Sequence, residues 1–199
     1  MKRQKLNTEV RQEQIIEAAM NLIAVRGLKG LSMAALANSI GLVPSATYRH
    51  FKDKKEILDR VLDFIREKLL TNVRITCEET SEPMERLRRI LKRHIETLKK
   101  NRAIPRIIFT EDVFNGSPKR KTKVYGIING YLRALNEIIR DGQEKGQIRP
   151  DMDSETIALM FLGMIQPGAF LWFLSDGKFD ISEHSEKNWN VFREAIRTN

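Results

Sequence analysis

Apolar residues recur at three- and four-residue intervals along nearly the whole chain, and no run of strict alternation marks a strand. Ile15, Ala18, Ala19 and Leu22 share one face of a first helix, with Thr8 as its cap and Gly27 as its stop. Met33, Leu36, Ala37 and Ile40 line a short second helix capped by Ser32 and ended by Gly41. Pro44 suits the first position of a third short helix that runs to about Phe51. Asp53 caps a longer fourth helix from Lys54, whose inner face carries Ile57, Val61, Phe64, Ile65, Leu69 and Val73. The polar stretch 77–83 is the main break of the first half. Beyond it, Leu87, Leu91, Ile95 and Leu98 are in helical register, and residues 101–103 break that helix. A short apolar segment covers 104–114, and Ser117-Pro118 opens a helix carrying Val124, Ile128, Tyr131, Leu132, Leu135 and Ile139. Asp153 or Ser154 opens an uncharged helix, and Asp180, with Glu183 three residues on, caps a last one bearing Trp189, Phe192 and Ile196. These are about nine helices, several too short to stand alone in water, so the pattern predicts an all-α fold held by tertiary burial.

Composition narrows the class. Of 199 residues, 41% are hydrophobic, 11 are Gly and 6 are Pro, which excludes collagen-like, low-complexity and wholly disordered chains. One cysteine, Cys77, cannot form an intrachain disulfide, which favours a reduced, cytoplasmic setting. No apolar stretch and cleavage site follow the basic start, so no targeting segment is expected. Residues 156–175 carry no charge and approach the length that spans a bilayer. Gln166-Pro167 interrupts that segment, Gly163 and Gly168 flank the interruption, and a helix packed between other helices has the same composition; no membrane partner is expected.

The charge is more telling. The formal net charge is +9, which favours a polyanionic partner. Residues 1–55 hold ten Lys/Arg against four Asp/Glu, a net of +6, and the remaining 144 residues hold 25 against 22. Within that basic region, residues 32–51 place two short helices around a tight turn at Gly41, where a left-handed backbone suits glycine. Ala37, one helical turn earlier, is small enough for the second helix to cross closely. Leu36, Ile40 and Leu42 supply a shared core. That is the layout of a helix-turn-helix that lays its second helix in the DNA major groove. Ser45, Tyr48, Arg49 and His50 crowd this helix with donors, and Lys52, Lys54 and Lys55 follow. Lys2, Arg3 and Lys5 read as a solvated tail, with a minor-groove arm as the alternative.

The stretch from Thr8 to about Leu69 resembles the N-terminal domain of the tetracycline-repressor (TetR) family of bacterial transcription regulators. The residues that carry the resemblance are Ile15-Ile16-Glu17-Ala18-Ala19, Gly27, Ser32, Leu36-Ala37, Ile40-Gly41, Tyr48-Arg49-His50-Phe51, Lys54 and Leu58. The resemblance implies a DNA-binding domain over 1–54 and a helical ligand-binding and dimerisation domain over 55–199. It implies that Ser32, Tyr48, His50 and Lys54 meet phosphates and that Pro44, Ser45, Ala46 and Arg49 face base edges. Guanidinium pairs bidentately with guanine, so Arg49 is the candidate for direct readout. Three positions depart from the family pattern. Thr47 replaces an aliphatic core residue, and its hydroxyl is expected to bond back to the helix; Met33 and Pro44 stand where polar contacts are common.

The remaining two-thirds shows no Gly-rich phosphate loop, no Gly-x-Ser-x-Gly elbow and no metal-ligand spacing among His50, Cys77, His94 and His184. No enzyme activity, cofactor or metal is therefore expected. Bulky apolar residues exceed what a simple bundle seam needs. His94, Ile108, Phe109, Tyr125, Ile128, Tyr131, Phe161, Met164 and Phe170 are the candidate lining of an effector pocket, for an apolar or aromatic small molecule. Pro167 is expected to kink its helix by removing the bond to the Gly163 carbonyl. The family resemblance implies a homodimer through residues 154–175 and 182–197. The expected function is a ligand-responsive regulator, a repressor, that binds a pseudo-palindromic double-stranded operator as a homodimer and is released by the effector. A helical small-molecule carrier or enzyme with a vestigial DNA-binding domain is the alternative.

Overall fold

The computed structural model describes residues 7–108 and 117–198. Among them are ten α-helices, one 3-10 turn and no strand, with a single isolated bridge between Ile148 and Arg197. The helices are α1 (Thr8–Arg26), α2 (Met33–Ser39), α3 (Pro44–Tyr48), α4 (Lys54–Glu79), α5 (Pro83–Lys100), α6 (Ala103–Ile108), α7 (Pro118–Glu144), α8 (Ser154–Gly163), α9 (Gln166–Leu174) and α10 (Ile181–Ile196). The 3-10 turn, Leu28–Gly30, joins α1 to α2. The expected all-α class holds.

The chain divides into two compact units, Met1–Ile65 with Asn101–Lys121 and Arg66–Lys100 with Thr122–Asn199. Two of the three boundaries fall within helices, one in α4 and one in α7, and the third lies between α5 and α6.

In the first unit, α1 buries Ile15, Ile16, Ala19 and Ile23, while Leu36, Ala37, Phe51, Ile57, Leu58 and Val61 complete the core. Thr8 does not cap α1: it is the first helical residue, and Asn7 before it makes no side-chain cap bond. Ser32 does cap α2, its Oγ accepting from the Ala35 N–H at 3.1 Å. Asp53 caps α4 through the Glu56 N–H at 2.9 Å. Gly41 has φ +65°, the left-handed geometry the turn requires, and the Leu42 N–H closes on the Ala37 carbonyl at 2.8 Å. The third helix ends at Tyr48 rather than Phe51, because the His50 and Phe51 N–H groups both turn onto the Thr47 carbonyl.

In the second unit, α5 buries Leu87, Ile90, Leu91, Ile95 and Leu98, and α7 buries Tyr131, Leu135, Ile138 and Ile139. The polar stretch at 77–83 is a narrower break than its composition predicts. α4 continues through Cys77 to Glu79. Arg86 stabilises that end: it donates to the Thr80 carbonyl at 2.7 Å and the Cys77 carbonyl at 3.4 Å, and it pairs with Asp141 at 3.1 Å. A guanidinium thus meets carbonyls that a helix end leaves without partners.

The uncharged segment is not one kinked helix. It breaks at Met164-Ile165, and Pro167 lies in the first turn of α9, where a missing N–H breaks no helical bond. The result is one helix more than periodicity suggests. Residues Ser154–Leu174 are long and apolar enough to cross a membrane by composition, with mean hydropathy 1.8 over an 18-residue window of which 44% is buried in the protein. Ile157, Ala158, Phe161, Leu162, Ile165, Ala169 and Trp172 face the core. Thr156, Leu159, Met160, Gly163, Pro167, Phe170, Leu171 and Leu174 form an open stripe at the same helical spacing. The segment is apolar on two faces, and only one of them is covered by its own chain.

Gly41→Ala forces a Cβ into a left-handed backbone and is expected to cost about 1–2 kcal/mol. Urea unfolding of the full chain measures this.

Candidate nucleic-acid interface and effector region

Helical geometry sorts the residues of α3. Positions 44, 45, 48 and 49 are exposed, Ala46 is half-buried, and Thr47 is fully buried. Tyr48 is 55% exposed although it is aromatic. Pro44, Ser45, Tyr48 and Arg49 therefore form one open face, while Thr47 and Phe51 anchor the opposite side in the core. Ser32 is exposed at the start of α2, and Lys52 and Lys55 are exposed around the start of α4. Met33 is turned inward and buried, so it offers no polar contact.

Two expected site residues are held by the protein itself. The Lys54 ammonium donates to the Leu28 carbonyl in the 3-10 turn at 2.5 Å, which fixes the half-buried side chain and leaves two further N–H groups. The carbonyl of His50 accepts from the Gln12 amide of α1 at 3.5 Å. His50 is half-buried, and its Nδ1 is buried without a hydrogen-bond partner. Thr47 corrects the sequence expectation. Its hydroxyl does not bond back to the helix but is buried without a partner.

Arg106 of α6 reaches the Ile23 carbonyl near the end of α1 at 3.5 Å. The Lys54, Gln12 and Arg106 contacts join residues 26, 38 and 83 positions apart, and no local pattern in the sequence announces them.

The second unit holds a buried polar pair. His94 Nδ1 lies 3.1 Å from the Tyr131 hydroxyl, with the rings edge-to-face at 5.4 Å between centroids. Burial pushes the imidazole down to about 4 and the phenol upward, so both are neutral near pH 7. Phe161 is buried edge-on to Phe192, and Ile128 and Met164 are half-buried. Tyr125 (66% exposed) and Phe170 (45% exposed) lie open in the single chain. Ile108 belongs to the first unit and is half-buried. Lys2, Arg3, Lys5 and Phe109 lie outside the described residues.

A basic helix-turn-helix with an open donor face, in an all-α chain, defines a DNA-binding regulator. Residues 15–61 match the bacterial regulatory proteins of the tetR family, and residues 63–195 match the YsiA-like protein C-terminal region. The chain belongs to the TetR family of ligand-responsive, DNA-binding transcription regulators. It is 22% identical over 189 residues to the nucleoid occlusion factor SlmA of Vibrio vulnificus, covering 94% of this chain and 96% of that one. It is 25% identical over 171 residues to the fatty acid metabolism regulator protein of Bacillus subtilis, covering 84% and 86%. The fold is shared with the transcriptional regulator FadR from Bacillus subtilis in complex with stearoyl-CoA, at TM-score 0.77 and 23% identity, over 93% of this chain and 99% of that one.

Thr47→Val removes a hydroxyl that has no partner and keeps the shape, so it is expected to stabilise the fold by about 1 kcal/mol in urea unfolding. The unfolded chain protonates His94 near 6.5, whereas the folded chain does so only near 4. Between those values the unfolded state binds more protons, so stability present above pH 6.5 is lost as pH falls toward 4, by roughly 3 kcal/mol. Unfolding curves at pH 7 and pH 4.5 are expected to differ less for His94→Gln than for the wild-type chain.

Proposed function

We propose that this protein is a cytoplasmic, homodimeric repressor that binds a pseudo-palindromic operator and leaves it when an effector with a long apolar tail is bound. The observation that carries this function is the sorting of α3, with Thr47 and Phe51 buried and Pro44, Ser45, Tyr48 and Arg49 open. Such a face fits a major groove. Arg49 would read a guanine edge, with Ser45, Pro44 and Ala46 beside it. Tyr48, His50, Lys52, Lys54 and Ser32 would hold the phosphates on either side. Two copies require recognition helices about 34–36 Å apart, one DNA turn.

The uncharged stripe from Thr156 to Leu174 supports the dimer. Bulky side chains at Leu159, Met160, Phe170, Leu171 and Leu174 are open to solvent, and a second copy of the same stripe would cover them with no unpaired charge. A membrane span is the weaker occupant, because lipid must surround a helix and the other face of this one is already packed in protein.

The effector class is supported by two relatives, one named for fatty acid metabolism and one structure holding stearoyl-CoA. It also fits the apolar character of Ile128, Phe161 and Met164, with the His94–Tyr131 pair as a polar handle. The effector needs only different affinities for the two conformations to shift operator binding.

Selection of bound sequences from random DNA, with and without long-chain acyl-CoA, tests the whole proposal. Arg49→Ala is expected to lose about 1–3 kcal/mol of discrimination at one base position. Tyr48→Ala is expected to weaken binding to all sequences alike. An unchanged operator preference in Arg49→Ala removes that residue from readout. Phe170→Glu and Leu174→Glu are expected to give soluble monomers by sedimentation, with loss of operator binding.

A further inference from the structure

The α8–α9 break lies in the middle of the open stripe, and a side-chain relay from α10 holds it. Asn188 Nδ2 donates to the Met164 carbonyl at 3.0 Å. The same Nδ2 lies 3.0 Å from His184 Nε2. These two contacts settle the chemistry of the imidazole. A carbonyl oxygen can only accept, so the amide group facing it is the NH2 and not the oxygen. An amide nitrogen can only donate, so His184 Nε2 is an acceptor and carries no proton. The ring is then neutral, with its proton on Nδ1.

The surroundings hold the ring in that position. Gly168 of α9 leaves room for it: a Cβ there would lie 3.0 Å from His184 Cδ2. Phe179 packs edge-to-face at 5.2 Å, and the His184 N–H is bonded to the Asp180 carbonyl at 3.0 Å. The ring is half-buried, so water can deliver a proton. The sequence of α9, from Gln166 to Leu174, contains no titratable group. The connection before α10 brings Asp176, Lys178 and Asp180, and Asp180 is engaged as the helix cap. On α10 itself, Glu183 is paired with Lys187 at 2.7 Å. From α5, Lys99 bonds Ser182 at 3.1 Å and Arg88 pairs with Glu186 at 3.7 Å. The charged groups around His184 thus have partners of their own or lie in the connection, and Asn188 is the group that meets Nε2.

We propose that His184 is a proton-operated latch on the dimerisation face. Neutral, it accepts from Asn188 and keeps that amide on the Met164 carbonyl, which fixes the angle between α8 and α9. Imidazole changes charge between pH 5 and 8. A proton taken from water onto Nε2 converts the acceptor into a donor and sets two N–H groups against each other. Asn188 must then turn away from either His184 or Met164, the break loses its brace, and the stripe no longer matches its copy. The effect on association rests on the homodimer described above; the latch itself does not.

Nitrogen-15 NMR of the full chain at pH 8 is expected to show His184 protonated on Nδ1 and bare on Nε2. A proton on Nε2 at pH 8 overturns the latch. Sedimentation at pH 8 and pH 5.5 is expected to show dimerisation weakened roughly fivefold on acidification, the scale of one hydrogen bond. His184→Gln does not titrate, and its dimerisation is expected to be unchanged over that range. Equal pH dependence in His184→Gln and wild type overturns the proposal. A chain that is monomeric at both pH values removes the dimer but still decides the latch. In that case the near-ultraviolet circular dichroism of Trp172 and Trp189 is expected to change with pH in the wild type and not in Asn188→Leu. The same change in both overturns it.

Discussion

A helix of five residues has no stability of its own in water, so what α3 presents to solvent depends on the packing that holds it. Pro44 fixes its first turn, the left-handed Gly41 brings α2 against it, and Thr47 and Phe51 sink its inner side into the core. The outer side is left open by the same rotation. Burial on one face and exposure of polar donors on the other are therefore one constraint, set by helical period. The buried, unpartnered hydroxyl of Thr47 shows that apolar packing around α3 is strong enough to carry an unfavourable polar group.

The same division of faces governs the other end of the chain. Residues 154–174 are apolar on two sides; one side is buried within the chain and the other is open. A break in the backbone at Met164-Ile165 would leave that surface ill-defined, were its carbonyl not held by Asn188 from α10. Arg86 does similar work at the end of α4, and Lys54 at the 3-10 turn. In each case a side-chain donor on one element meets a backbone carbonyl at the end of another helix or turn.

Much of this was legible in the residues alone. Ser32, Asp53, Asp153 and Asp180 each cap the helix that their position predicts, because capping is decided within three or four residues. The tight turn follows from Gly41, and the family from the residues around it. Thr8 failed as a cap because the chain entered the helix one residue earlier, at a boundary that local chemistry specifies weakly. The long break expected at 77–83 failed for a different reason: Arg86 and Asp141 are 55 positions apart, and their pairing supports a helix end that composition marks as loop.

The sequence by itself determined the helices, the turn between α2 and α3, the basic N-terminal third and the family. Each depends on side-chain period, caps or charge counted along the chain. Only tertiary structure decided which atoms are held. It set Lys54 on a carbonyl of the 3-10 turn, buried His94 against Tyr131, split the uncharged segment into α8 and α9, and brought the Asn188 amide onto both the Met164 carbonyl and the His184 ring. Those outcomes depend on pairs distant in sequence, and on the removal of polar groups from water. Neither is written in any local run of residues.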